Sequence, residues 1–268
     1  MNSDGLNIIQ ADPISVFKIK KNDVISITGA GGKTSLMFRL ASKLKERGSV
    51  LITTSTKIAI PTEGFDRLYT SYEDFKVETA IDHDHSVICL GEKVPGKNKL
   101  GSVGRDQLRQ LIKAFDFCLI EADGSRRLPF KFWYDYEPVI YDFSTKVIGV
   151  LPLSVYGKRP DPEFIYNYEG YMEYMAQMDY MSQPAKSGDR VNVEIGARSY
   201  KKLIEYEGGL FKNFTRDRFV FLNQCDLDGG LDHALEVWKL LSGHCLNITF
   251  GSIKEDKYYQ VERNDHEN

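Results

Sequence analysis

Over the first 150 residues, short apolar runs alternate with stretches whose apolar positions recur at helical spacing. Residues 23–28 (DVISIT) read as a buried strand, and Gly29 to Gly32 break it. Residues 35–47 then carry Leu36, Met37, Leu40, Ala41 and Leu44 on one helical face, and Gly48 stops that helix. A second strand is predicted at 49–54 (SVLITT), a helix at 71–81 and a third strand at 86–90 (SVICL). Residues 92–102 are a Gly/Lys/Pro loop or hairpin. Residues 104–115 form a helix with Leu108, Leu111 and Ile112 inward, and strands follow at 116–120 (DFCLI) and 146–151 (KVIGVL). Residues 160–213 are rich in Tyr, Met and Glu with looser periodicity, which predicts a late helical insertion. The strand-helix pattern resumes with 218–223 (RFVFLN), a helix at 231–241 containing Ala234, Leu235, Trp238 and Leu241, and a last strand at 246–250. Strands apolar on both faces, alternating with helices, imply a mainly parallel sheet covered by helices on both faces in a single α/β domain. Residues 1–5 and the polar stretch 255–268 are expected to fray.

Composition narrows the function classes. Hydrophobic residues make up 42% and charged residues 27%, a globular balance that argues against disorder. The net charge is -3 and no Lys/Arg cluster stands out, so a nucleic-acid groove is not expected. No apolar run approaches the roughly 20 residues of a membrane span, and the first residues lack the pattern of a secretory leader; the expectation is a cytoplasmic protein. Cys89, Cys118, Cys225 and Cys245 make no C-x-x-C pair, so neither zinc nor a disulfide framework is signalled. His83-Asp84-His85 reads as a polar turn before a strand, and the aromatic run Phe130, Phe132, Trp133, Tyr134 and Tyr136 reads as sheet packing.

The most informative stretch is 27–35, ITGAGGKTS. Gly29, Ala30, Gly31, Gly32, Lys33, Thr34 and Ser35 lie between a predicted strand and a predicted helix, the context a phosphate-cradling loop requires. Glycine lets the backbone curl tightly and approach a phosphate, while amide hydrogens and the helix N-terminus supply positive partial charge. Lys33 then suits the terminal phosphates of ATP or GTP, and the Thr34 hydroxyl suits Mg²⁺. The spacing present is G-x-x-G-K-T, shorter than the usual G-x-x-x-x-G-K-[ST] pattern, and this shorter form resembles the Mur ligases.

Further polar groups follow predicted strands. Glu121 and Asp123 end the strand in DFCLIEADGSR and fall on one side of it. Ligands of open α/β sheets bind at such carboxyl ends, where a carboxylate can bind Mg²⁺ or orient a water. Which acid does which is open from sequence. Arg126 and Arg127 either clamp an anion or lie solvated in a turn, and the hydroxyls and Lys57 of LITTSTKI can face the phosphates or cap a helix. RFVFLNQCD places Asn223 and Asp226 as in the N-K-x-D motif of GTP-binding proteins, with Gln224 where the lysine is expected; the alternative is a polar turn.

Taken in order, ITGAGGKTS (27–35), TTSTKI (53–58), KLGS (99–102), EADGSRRLPFK (121–131), EPVI (137–140), VIGVLPLSVYG (147–157) and FLNQCD (221–226) make the chain similar to the YqeC-type accessory proteins of selenium-dependent molybdenum hydroxylases. The resemblance covers most of residues 20–230. It implies a P-loop NTPase-like α/β fold and a role in maturation of such a hydroxylase, with the hydroxylase or its cofactor-assembly proteins as partners. The leading expectation is a Mg²⁺-dependent nucleotide hydrolase or phosphotransferase. On that expectation Lys33, Glu121 and Asp123 act at the phosphoryl group, and Thr34 with Glu121 or Asp123 holds the metal. The alternatives are a nucleotide-gated binding protein with negligible turnover and a Mur-like ATP-dependent ligase.

Overall fold

The computed structural model describes residues 6–78, 84–182, 194–243 and 246–262. The chain begins with β1 (Ile8–Ala11) and the single turn α1 (Pro13–Val16), then β2 (Asp23–Gly29), α2 (Lys33–Leu44) and β3 (Val50–Thr54). The short β4 (Ile58–Ala59) is followed by β5 (Arg67–Tyr69), α3 (Tyr72–Glu78) and β6 (Val87–Leu90). A hairpin of β7 (Glu92–Lys93) and β8 (Lys99–Gly101) precedes α4 (Arg105–Leu111) and β9 (Phe117–Glu121). Next come β10 (Phe130–Lys131), β11 (Lys146–Pro152), β12 (Ile165–Tyr166), α5 (Tyr168–Ser182) and α6 (Ala197–Glu205). The final elements are β13 (Asp217–Asn223), α7 (Gly230–Leu241), β14 (Asn247–Ser252) and β15 (Lys257–Val261).

Ten strands form the central sheet in the order β1-β15-β14-β13-β11-β2-β9-β3-β6-β5. From β14 to β5 every pairing is parallel; β15 runs antiparallel to β14, and β1 antiparallel to β15. The chain is therefore of the α/β class with a mostly parallel sheet, as the alternating pattern predicts. No helix among the described residues is long and apolar enough to cross a membrane.

Side-chain alternation along the strands sorts the interior into layers. Ile25 and Ile27 of β2, Leu119 of β9, Ile148 and Val150 of β11, and Phe219 and Phe221 of β13 face α1 and α2. The intervening residues face the other way. Val147, Leu151, Val220 and Leu222 pack under α6 and α7, while Leu51, Ile88, Cys118 and Ile120 pack under α3 and α4. Burial pushes the Cys89 thiol up to about 12 and raises that of Cys118 as well, consistent with inert core thiols.

The sequence reading misses the edge of the sheet made by β1 and β15. The stretch expected to fray from residue 255 contains β15, because Tyr258 is fully buried and the strand pairs on both sides. Phe17 closes α1 and meets Phe219, Phe221 and Tyr258 edge-on, with centroids 5.7–6.4 Å away. The helix at α2 starts two residues earlier than the periodicity indicates, so Lys33 and Thr34 lie in its first turn. Within 160–213 the insertion holds α5 and α6, and β12 ties it to β10; residues 183–193 of that call, and 79–81 of the helix expected at 71–81, lie outside the described residues, as do His83 and Cys245.

Phe17→Ala should cost about 3–5 kcal/mol, since it empties a fully buried ring site against two strands. Urea denaturation checks this. An unchanged midpoint would show that α1 and β15 do not fold with the sheet.

Candidate functional site

The turn from β2 into α2 is built by steric necessity. Gly29 has φ 95°, and a Cβ there would stand 2.1 Å from the Val150 carbonyl oxygen. Gly32 has φ 135°, and a Cβ there would stand 2.5 Å from Asn223 Nδ2. Only glycine lets the loop pass this close to β11 and β13. The Ala30 amide donates to Val150 O at 3.0 Å, which fastens the loop to the neighbouring strand. No side chain caps α2, so its first-turn amides are left to the groove above them.

Asp123, fully buried, sits directly behind this loop. Its Oδ2 accepts the Gly29 amide at 2.9 Å and the Trp133 indole N–H at 2.7 Å, and meets Lys131 Nζ at 3.1 Å. Its Oδ1 lies 3.2 Å from Lys33 Nζ, which also donates to Gly29 O at 2.6 Å. Lys131, with no exposed surface, reaches Glu137 at 3.1 Å and donates to Gly124 O at 2.7 Å. Asp123 Oδ2 is thereby enclosed by donors, while the buried Oδ1 has the Lys33 ammonium nearby and no hydrogen bond; Glu121, itself buried, accepts from the Thr34 hydroxyl at 2.7 Å. Register explains the placement: Glu121 pairs with Ile27 of β2 and Thr54 of β3, so β9 delivers it between the loop and the hydroxyl-rich turn. Among the described residues, no group of three or more His, Cys, Asp or Glu side chains gathers in a metal-ligating cluster.

The TTSTKI turn frames one side. Thr54 donates to Glu121 O at 2.9 Å and Ser55 donates to Val139 O at 2.7 Å, while Lys57 is exposed. Buried polar oxygens without a hydrogen-bond partner collect nearby: Thr53 Oγ1, Thr56 Oγ1, Glu137 Oε1 and Asp123 Oδ1. Arg126 and Arg127 are exposed in a turn with φ 49° and 66°, and Arg126 lies over the Tyr166 ring. Of the aromatic run, Phe130, Phe132 and Trp133 are core residues, but Tyr134 and Tyr136 stack on each other at the surface.

A groove of about 1030 Å³ runs from Gly31, Gly32, Thr34 and Ser35 to Asn223 and Asp226. Asn223 links the two ends: its Nδ2 donates to Gly31 O at 2.8 Å and its Oδ1 accepts the Ile253 amide at 3.2 Å. The structure thus brings the glycine loop, Lys33, Thr34, Glu121, Asp123, Asn223 and Asp226 around one edge of the sheet. Sequence reasoning missed Lys131, Trp133 and Glu137 behind it, and Ser252, Ile253 and Lys254 in its wall. The signal for Lys131 was a lysine flanked by Phe130 and Phe132, since a cation in an apolar run requires a buried acid.

The carboxylates differ electrostatically. Burial acts to raise Asp123, but Lys33, Lys131 and the Gly29 and Trp133 donors outweigh it and hold the carboxyl below its ordinary value. Burial raises Glu121, against weaker opposition from Lys33 and the Thr34 hydroxyl. Burial likewise raises Glu137. For Lys33, burial works downward, and Asp123 with Glu121 more than offsets it, so the ammonium is retained.

Two stability predictions follow from these signs. Asp123→Ala leaves two ammonium groups buried beside each other and should cost about 3–5 kcal/mol, read from denaturant midpoints. Glu121 is favoured by the fold in its protonated form. Its contribution is present below the ordinary glutamate value near ~4.3 and is lost as pH rises through the higher folded value. Glu121→Gln should therefore be more stable than the parent at pH 7, with the difference closing toward pH 4. A lower midpoint for Glu121→Gln at pH 7 would contradict this.

A family model described as "YqeC protein" matches residues 25–169, which include the glycine loop, the TTSTKI turn and the Glu121–Glu137 segment. The chain is also 31% identical over 215 residues to "Uncharacterized protein YqeC" of Escherichia coli (strain K12), covering 77% of this chain and 79% of that relative. The glycine loop and its acidic neighbours therefore sit in a chain that belongs to the YqeC family.

Proposed function

We propose that this protein binds a Mg²⁺–nucleoside triphosphate at the 29–35 loop and hydrolyses it or transfers its terminal phosphoryl group, in support of the maturation of a selenium-dependent molybdenum hydroxylase. The observation that carries the reading is the 2.7 Å contact between Thr34 Oγ1 and Glu121 Oε2 beside the uncapped start of α2. A hydroxyl and a carboxylate oxygen side by side are hard donors of the kind Mg²⁺ takes, next to amides suited to phosphate. Held by the Thr34 hydroxyl and Glu121, the ion would supply charge neutralisation to the phosphates.

The protein's own residues divide the work. The Gly31 to Ser35 backbone cradles the phosphate chain. Lys33 exchanges its Gly29 carbonyl and Asp123 partners for phosphate oxygens, so its charge meets the developing negative charge. Thr34 and Glu121 hold the metal. Asp123 is a positioning residue: it fixes the Gly29 amide and holds the Lys33 ammonium until a phosphate takes it, and its full burial keeps it from a solvent-facing role. The family resemblance supports the hydroxylase setting.

A second reading, a nucleotide-gated binding protein with negligible turnover, draws on the same enclosure. With Asp123 occupied and Glu121 assigned to the metal, neither of these two acids is free to orient the attacking water, so on this reading turnover waits for the client. Phosphate release measured with and without the hydroxylase or its cofactor separates the two readings.

Calorimetry with Mg²⁺ and triphosphates should show saturable binding to the parent chain and none to Lys33→Ala. A triphosphate at 100 times its dissociation constant should add about 2.7 kcal/mol to unfolding stability. Unchanged affinity in Lys33→Ala sinks the assignment.

A further inference from the structure

We infer that the far end of the groove reads a guanine base, so that the triphosphate is a guanine nucleotide in preference to an adenine one. This rests on the triphosphate reading above and adds a base subsite to it.

Asn223 sets the geometry. Its amide bridges Gly31 of the glycine loop and the Ile253 amide after β14, so the phosphate end and the wall beyond it are one hydrogen-bonded edge. Three residues on, the Asp226 side chain is only 10% exposed, and its Oδ1 is buried without a hydrogen-bond partner. The nearest cation, Lys254 Nζ, lies 3.9 Å from the other oxygen, too far for a hydrogen bond. A buried carboxylate oxygen left in this state is costly to the fold, and Asp226 is among the residues that line the same groove as Gly31, Gly32 and Thr34.

The chemistry of the two purines then decides. An ionised carboxylate only accepts hydrogen bonds. Guanine presents two adjacent donors, N1–H and the N2 amine, which match two carboxylate oxygens side by side. Adenine presents a bare acceptor at N1 and a hydrogen at C2, which opposes lone pair to lone pair. Apolar surface for the ring face is at hand. Leu227, next to Asp226, is 44% exposed, and it and Ile253 both line the groove. Gln224, at φ 76°, turns its Oε1 back to accept the Ser154 amide at 3.2 Å, so it fixes the turn and does not cover the base.

The test is competition binding to the full-length chain with Mg²⁺ and GTP, ATP, ITP or XTP, repeated on Asp226→Asn. GTP should bind at least about 100-fold more tightly than ATP, because the subsite is built around donors that adenine lacks. ITP, without the N2 amine, should lose about 10-fold. Asp226→Asn should weaken GTP and strengthen XTP, whose C2 carbonyl accepts from the new amide. Equal binding of ATP and GTP, lost together in Lys33→Ala, overturns the base subsite and leaves the triphosphate reading intact. No binding of any triphosphate overturns both. Equal loss of all four nucleotides in Asp226→Asn would assign Asp226 to the fold and overturn the base reading.

Discussion

The buried carboxylate of Asp123 is the interaction on which the site depends. It is fully enclosed, and it takes the Gly29 amide, the Trp133 indole, Lys131 and Lys33 together. An ion removed from water at this depth persists only when its partners replace the lost hydration. Those partners come from three separate segments: the end of β2, the start of α2 and the loop through β10. Satisfying one carboxylate therefore fixes the glycine loop against the sheet and holds Lys33 beside the groove. The ammonium rests on Gly29 O and Asp123. On the proposed reading, binding an anion amounts to an exchange of partners, with little cost in rearranging the backbone.

The sheet order extends this arrangement. β2 lies between β9 and β11, and β13 follows β11, so the loop at the end of β2 is flanked on one side by Glu121 and on the other by Asn223. A parallel sheet delivers all these strand ends to one edge. The Asn223 bridge to Gly31 and Ile253 locks the far side of that edge, and Gly251 of β14, which pairs with Asn223, is held in turn by Tyr258 of β15. The C-terminal stretch that composition marks as polar is consequently part of the scaffold on which the groove stands.

Much of the parallel core was legible because strands buried on both faces leave unbroken apolar runs, as in DVISIT and DFCLI, separated by helical periodicity. The glycine loop was legible because few other structures require Gly-Gly-Lys-Thr between a strand and a helix. The edges were not. β1 and β15 pair antiparallel, are half-buried and mix polar with apolar residues, so neither run length nor composition distinguishes them from a frayed end; only the tertiary burial of Phe17 and Tyr258 does. Lys131 and Glu137 were hidden differently. Each looks like an isolated charge in sequence, and their pairing at 3.1 Å is created by the loop that returns past Asp123. Asn223 could be placed by its motif, but its grip on Gly31 depends on strand order, which spacing does not contain.

The three acids near the loop show how structure and function separate within a few residues. Asp123 is held below its ordinary value by two lysines and backbone and indole donors, the signature of an acid whose charge the fold has satisfied. Glu121, two residues earlier, and Glu137 are raised by burial, and the groups around them do not fully compensate. A fold selected for stability alone has no reason to keep a glutamate buried at that disadvantage beside a hydroxyl, when a glutamine fills the same space. Environments that drive neighbouring carboxylates in opposite directions mark different tasks. Here the contrast separates the acid that builds the loop from a buried acid beside the Thr34 hydroxyl, whose positive neighbours do not offset its burial. A cation carried in with an oligophosphate is the partner that would complete it, which is why Glu121 and not Asp123 is the carboxylate through which the fold and the proposed chemistry meet.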